Sequence, residues 1–260
     1  QWNLNVQREL PGNLIVEAGY MGNRGTSMPA NRSFRYLPDA ALGLGTALQQ
    51  LVPNYLAPVI TTGGLAQPQV TRATLLNYYP QFAGVTGLDS WADSIYHAAT
   101  LRVEKRFSAG LSLLASYTFS KLIDNNLGNG SNNFADGGSN GVQSWDNLRA
   151  ERAVSTSDLP QRLVMTASYE LPFARGGHPL YRGVLGGWQL NTLATLQSGN
   201  VISVSAPAPA FGGSRPNVVG DPTLPNPNID RWLNRDAFAI IPPFTLGNAP
   251  RNLPRTRTDG

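Results

Sequence analysis

The sequence predicts an all-β chain: a partial transmembrane antiparallel β-barrel, about six strands in three hairpins, with long extracellular loops. Three observations predict it. Apolar and polar residues alternate in several runs, the connections between those runs alternate between short and long, and aromatic residues gather toward both ends of the runs. Alternation with period two puts successive side chains on opposite faces of a strand, so each run has one apolar and one polar face.

In the first strand Trp2, Leu4, Val6 and Leu10 share a face, Asn3, Asn5, Gln7 and Glu9 share the other, and Arg8 interrupts the apolar side. Leu10-Pro11-Gly12-Asn13 has turn chemistry. Leu14, Val16, Ala18 and Tyr20 then oppose Ile15, Glu17, Gly19 and Met21 in a second strand, completing a hairpin. The third strand sets Ile95, His97, Ala99, Leu101, Val103 and Phe107 against Tyr96, Ala98, Thr100, Arg102, Glu104 and Arg106, with Lys105 on the apolar side near the end. Ser108-Ala109-Gly110 turns the chain into a fourth strand, where Leu111, Leu113, Ala115, Tyr117 and Phe119 oppose Ser112, Leu114, Ser116, Thr118 and Ser120. A third hairpin places Leu163, Met165, Ala167, Tyr169 and Leu171 against Arg162, Val164, Thr166, Ser168 and Glu170. Its return strand has Trp188, Leu190, Thr192, Ala194 and Leu196 against Gln189, Asn191, Leu193, Thr195 and Gln197.

The connections within hairpins run roughly 3 to 15 residues, whereas those between hairpins run roughly 72 and 37, with at least about 55 after the last strand. Loops that long are uncommon in compact soluble domains, but short turns on one side and long loops on the other are the rule in outer-membrane barrels. With the apolar faces toward lipid, Phe107, Phe173 and Trp188 fall near the short-turn end, and Trp2, Tyr20, Tyr117 and Phe119 near the long-loop end. Aromatic rings concentrate at those two interfaces. Lys105 and Arg8 lie close enough to their turns to extend their charges into water. A soluble β-sandwich gives the same alternation, with the apolar face buried between sheets, but it explains neither the loop asymmetry nor the girdles.

On the barrel reading, Glu17, Arg102, Glu104, Arg106, Arg162 and Glu170 line the lumen, where they pair or stay hydrated. Six strands are fewer than the roughly eight of the smallest spanning barrels. The chain also begins Gln1-Trp2-Asn3, without an initiator Met or a leader. Residues 1–260 are therefore expected to be a single fragment of one barrel domain in a longer protein.

Composition narrows the function. Only 14% of the residues are charged while 41% are hydrophobic, which argues against disorder. No apolar run approaches the roughly 18 residues of a spanning helix. With no Cys and two isolated histidines, His97 and His178, neither thiol chemistry nor a multi-histidine metal site is expected. No cofactor is expected. The 20 Lys and Arg are scattered despite the net charge of +4, so nucleic acid is not an expected partner.

Local features read as structure. Asp89 and Asp93 flank Trp91 and have the residue types of an acid–base pair or a calcium site, but they suit a polar loop entering a strand better. The Asp124-Asn125-Asn126 and Asp136-Gly137-Gly138 stretches lack EF-hand spacing, and Gly128-Asn129-Gly130 lacks the context of a dinucleotide fingerprint. Residues 39–52 suggest a short helix capped by Asp39 and weakened by Gly43 and Gly45, packed within the first long loop. His178 sits in a Gly-Gly-His-Pro turn and no nucleophile elbow is present. An enzyme is not expected.

Residues 96–112, Tyr96-His97-Ala98-Ala99-Thr100-Leu101-Arg102-Val103-Glu104-Lys105-Arg106-Phe107-Ser108-Ala109-Gly110-Leu111-Ser112, together with Ala115-Ser116-Tyr117-Thr118-Phe119-Ser120-Lys121, resemble the barrel of TonB-dependent outer-membrane receptors. The similarity is to the Oar-like branch, whose members carry an N-terminal carboxypeptidase-regulatory-like domain. Further matches are Asn147-Leu148-Arg149-Ala150-Glu151-Arg152, Tyr169-Glu170-Leu171-Pro172-Phe173, Gly186-Gly187-Trp188-Gln189-Leu190, Leu196-Gln197-Ser198-Gly199, Arg215-Pro216-Asn217 and Gly247-Asn248-Ala249-Pro250-Arg251-Asn252, covering most of residues 90–252. The resemblance implies a barrel of about 22 strands, plugged by an N-terminal domain and energised by a TonB complex. No plug, TonB-contacting box or regulatory-like domain is found in residues 1–260, so this is expected to be a late part of the barrel. The implied partners are outer-membrane lipid, the rest of the barrel and its plug, the TonB complex through the missing N-terminal part, and an unidentified large extracellular substrate. The implied location is a Gram-negative outer membrane. The alternative is a structural or adhesive surface β protein without transport activity.

Overall fold

A computed structural model describes residues 1–125, 142–172, 186–228 and 230–258. Phe173, His178, Gly128-Asn129-Gly130 and Asp136-Gly137-Gly138 lie outside the described residues. In chain order the strands are β1 (Trp2–Leu10), β2 (Leu14–Ser33), β3 (Leu51–Pro53), β4 (Gln69–Thr71), β5 (Thr86–Ser108), β6 (Leu111–Asp124), β7 (Ala153–Val154), β8 (Gln161–Glu170), β9 (Gln189–Gln197), β10 (Asn217–Val218) and β11 (Phe238–Ala239). The one α-helical turn among the described residues, α1, spans Arg72–Leu76. No helix in these residues is long and apolar enough to cross a membrane.

The long strands form one antiparallel sheet in the order β1-β2-β5-β6-β8-β9, with β7 added beside β6. The register joins the expected faces across the sheet. Val6, Ala18, Leu101, Tyr117, Leu163 and Leu196 are successive cross-strand partners, and Arg8, Val16, Val103, Ala115, Met165 and Ala194 form the next row on the same face. Leu4, Tyr20, Ala99 and Phe119 make a third row toward the long-loop end. Slipping any strand by one residue would turn its apolar set to the other face.

This apolar face is open. Leu4, Val6 and Leu196 are 68%, 64% and 66% exposed. The remaining sheets among the described residues are two-stranded, β3–β4 and β10–β11. A sandwich would bury these rows between two sheets, whereas here they form an outer surface. Tight turns close two hairpins: Gly12 and Asn13 take φ of 85° and 60°, and Ala109 and Gly110 take 52° and 80°, the left-handed region that short hairpin turns require.

β2 and β5 reach well past the ends expected from alternation, to Ser33 and back to Thr86. Beyond Tyr20 the sequence turns polar, and the ladder shifts register around Gly25, Met28 and Pro29. The two-faced pattern ends there because the surroundings change, while backbone pairing continues. At this tip Ala30, Trp91, Ala92 and Trp145 form a small core joined by Met28, Tyr36, Val142 and Leu148. The Trp91 and Trp145 rings meet edge to face at 5.3 Å, a favourable aromatic geometry.

The first long connection is folded. A 3₁₀ helix at Asp39–Gln49, interrupted at Gly45 (φ 55°), packs against α1, which itself contacts β4. Leu48, Val70 and Ala73 are buried there. The expected helix therefore exists, but it ends at Gln49 and the chain enters β3 at Leu51. Asp39 is not its cap: Pro38 holds that position, and the Asp39 carboxylate accepts from the Ser144 hydroxyl at 2.5 Å.

Candidate functional site

Glu17, Arg102, Glu104, Arg162 and Glu170 lie on the face opposite the apolar rows, as the strand parity requires, and Arg106, where the ladder shifts register, reaches Glu9 of that face. Glu17 and Arg102 are direct partners across β2 and β5, with the guanidinium 3.7 Å from the carboxylate. The same guanidinium donates to Glu104 at 2.9 Å. Arg106 lies 3.8 Å from Glu9, a partner the alternation did not single out. Four of the six residues thus lie between the middle of the sheet and the short-turn end. Arg162 and Glu170 stand at opposite ends of β8, beside Thr118 and Gln197 and beside Gln189 respectively. These charges are substantially exposed, and pairs of that kind contribute about 0 to 1 kcal/mol each.

Near the short-turn end, the Lys105 ammonium donates to the Gly12 carbonyl and the Ser108 hydroxyl, both at 3.1 Å. The charge has left the apolar face for the turn, as a long flexible stem allows. At the other end His97 Nδ1 and the Tyr20 hydroxyl are 2.7 Å apart, and the Trp2 ring centroid lies 5.9 Å from that of His97.

The densest polar chemistry lies at the long-loop end, where three segments are tied into one cap. Asp124, at the end of β6, pairs with Arg251; Glu151 pairs with Arg215; Asp158 pairs with Arg257 at 2.5 Å. All three carboxylates are essentially fully buried, and their arginines all come from the final sixty residues. Asp158 also accepts from the Leu122 backbone N–H at 2.5 Å and from Lys121 at 3.3 Å. Gln143 donates to the Gly247 carbonyl at 2.9 Å, and buried Asn252 donates to the Val154 carbonyl at 2.8 Å. Gly247 is required by close approach, since a Cβ there would strike the Arg215 carbonyl oxygen.

The first long connection joins the same cap. The Tyr36 hydroxyl donates to Asp146 at 2.9 Å, and the Asp39 N–H donates to the other oxygen of that carboxylate at 2.8 Å. Burial, then the Asp146 carboxylate, push the Tyr36 phenol up to about 12. Asp89 accepts from Arg32 at 2.7 Å, which holds its carboxyl below the usual range, and Asp93 accepts from the Ser27 N–H at 3.2 Å. Both aspartates beside Trp91 are thus engaged in tying the strand tips. Among the described residues no three His, Cys, Asp or Glu side chains converge on one point.

None of the ion-paired cap residues was singled out as a site. A signal existed all the same: Asn147-Leu148-Arg149-Ala150-Glu151-Arg152, Arg215-Pro216-Asn217 and Gly247-Asn248-Ala249-Pro250-Arg251-Asn252, far apart in sequence, meet here. At the cap a cleft of about 530 Å³ opens between residues 156–159 and residues 197–203, with Asn252 on its wall.

A family model described as an outer membrane beta barrel domain matches residues 1–258. No curated protein and no solved structure matches the chain.

Proposed function

Because the chain belongs to the outer membrane beta barrel domain family, we propose that it is a segment of a TonB-dependent receptor barrel of the Oar-like branch, passing a large extracellular substrate across the outer membrane. Its place is the outer membrane, and the exposed apolar rows contact lipid. The polar face, with Glu17, Arg102, Glu104, Arg106, Arg162 and Glu170, lines the lumen and meets a plug supplied by another part of the same polypeptide. Further strands complete the barrel beyond β1 and β9, which each pair on one side only in this sheet. The segment performs no reaction of its own.

The observation that carries this reading is the cap. Connections that merely joined strands would have no need of three buried arginine–carboxylate pairs, whereas a selective receptor needs a fixed surface at its mouth. Buried ion pairs of this kind hold one arrangement of segments when all partners are present. The motifs resembling Oar-like receptors supply several of those partners.

The test uses the full-length protein in planar bilayers. A plugged receptor gives low conductance that rises only when the TonB complex engages; a steady, wide conductance without it would make the barrel a passive pore. The flanking gene sequence must also encode a plug domain, and its absence would end the proposal.

A further inference from the structure

The cleft at the cap has a chemistry of its own. Its lining includes Ser157, Ser203, Gln197 and Asn200, together with Thr156 and Asn252, which are already engaged within the protein. Apolar surface comes from Leu159 and Val201. The volume of about 530 Å³ falls within the range of small-molecule sites. Gln197 continues the polar face, since it is the cross-strand partner of Arg162, which itself faces Thr118. The cleft therefore stands at the long-loop end of that face.

No charged side chain lines it. The nearest acidic group in sequence, Asp158, is buried and neutralised by Arg257 and Lys121. A charged ligand would lose water here without gaining a counter-charge, which is unfavourable. Backbone recognition of a peptide is also limited. The Asn200 and Ile202 carbonyls already accept from Thr258 and Leu253, and the Asn200 N–H donates to the Thr258 hydroxyl. Recognition falls to neutral hydroxyl and amide side chains, which both donate and accept. Vicinal hydroxyls of a sugar do the same.

We infer that this cleft is a binding site for a neutral oligosaccharide segment, held at the mouth of the barrel before passage. The inference deepens the transport reading and rests on it for the ligand's onward path, but binding itself requires only the cleft.

The experiment measures binding of maltotriose, cellotriose, trigalacturonate and a neutral tripeptide to the full-length protein in detergent. Three variants are compared with wild type: Gln197→Ala with Asn200→Ala, Ser203→Tyr to fill the cleft, and Ser116→Ala as a control elsewhere on the polar face. Heat-modifiable gel migration verifies that each is folded. The expected result is binding of at least one neutral trisaccharide, unchanged by added salt and weakened at least tenfold by either cleft change but not by the control. Binding of trigalacturonate alone, of the tripeptide alone or of nothing would overturn the inference, as would neutral-sugar binding indifferent to both cleft variants. If sugar binding fails while TonB-dependent conductance holds, only this inference falls. Sugar binding in a protein that conducts without TonB would keep the cleft and remove the transport reading.

Discussion

Glu151 shows why single residues of the cap carry unequal weight. It is 1% exposed, accepts from Arg215 and from the Gln143 N–H at 2.9 Å, and leaves Arg215 without that counter-charge if truncated. Removing one partner of such a buried pair costs about 3 to 5 kcal/mol, whereas replacing both by apolar residues of similar volume costs much less. Glu151→Ala should therefore markedly lower the temperature at which the detergent-solubilised full-length protein loses its cap. Glu151→Leu with Arg215→Met should recover most of the loss, as read by proteolytic protection of the 142–158 segment. Tyr36 makes a second prediction. Its value is raised by burial and Asp146 to about 12, so the stability from this tether is fully present below the ordinary tyrosine value near 10 and is lost as pH rises through about 12. An ultraviolet titration should show a late phenol ionisation near pH 12, and Tyr36→Phe should abolish that late step.

At the scale of elements, each long strand joins lipid-facing and water-facing chemistry in one ladder. From Lys105 to His97 the apolar side of β5 runs about 26 Å along the strand at about 3.3 Å per residue, which at the roughly 40° tilt of outer-membrane strands crosses about 20 Å of the roughly 25 Å apolar band. Leu101 sits midway between them, in the row of Val6, Ala18, Tyr117 and Leu163. Leu113 shares its row with Lys105, whose charge has escaped to the turn. Leu101→Arg should thus destabilise the inserted barrel by about 2 to 4 kcal/mol and Leu113→Arg by about 0 to 1. Denaturant titration in lipid vesicles checks both; equal costs would contradict the assigned depth. The cap elements obey a different rule, since β3, β4, α1 and the Trp91–Trp145 core are ordinary water-soluble packing.

For the whole molecule, the sheet presents its apolar rows to lipid and leaves β1 and β9 each paired on one side only. Residues 1–260 expressed alone in water should show no sharp cooperative melt and should associate through those edges. Calorimetry together with sedimentation checks this, and a cooperative transition of a monomer without detergent would contradict it. The six long strands, their faces and the loop asymmetry were legible in the sequence, whereas Tyr117, expected at the long-loop end, sits in the middle row beside Leu101. Alternation is local, and each residue announces its side of the sheet by its own polarity. Glu17, Arg102 and Glu104 could be placed on one face by counting alone. Only the tertiary structure decided that β2 and β5 continue to Ser33 and Thr86, that the Asp39 carboxylate bonds Ser144, and that Asp124, Glu151 and Asp158 meet Arg251, Arg215 and Arg257. Those outcomes depend on partners dozens to more than a hundred residues away, brought together by irregular backbone with no period to read. The membrane-facing half was written in the sequence because lipid imposes a repeating demand on every strand, while the cap was not, because its contacts are specific to single pairs.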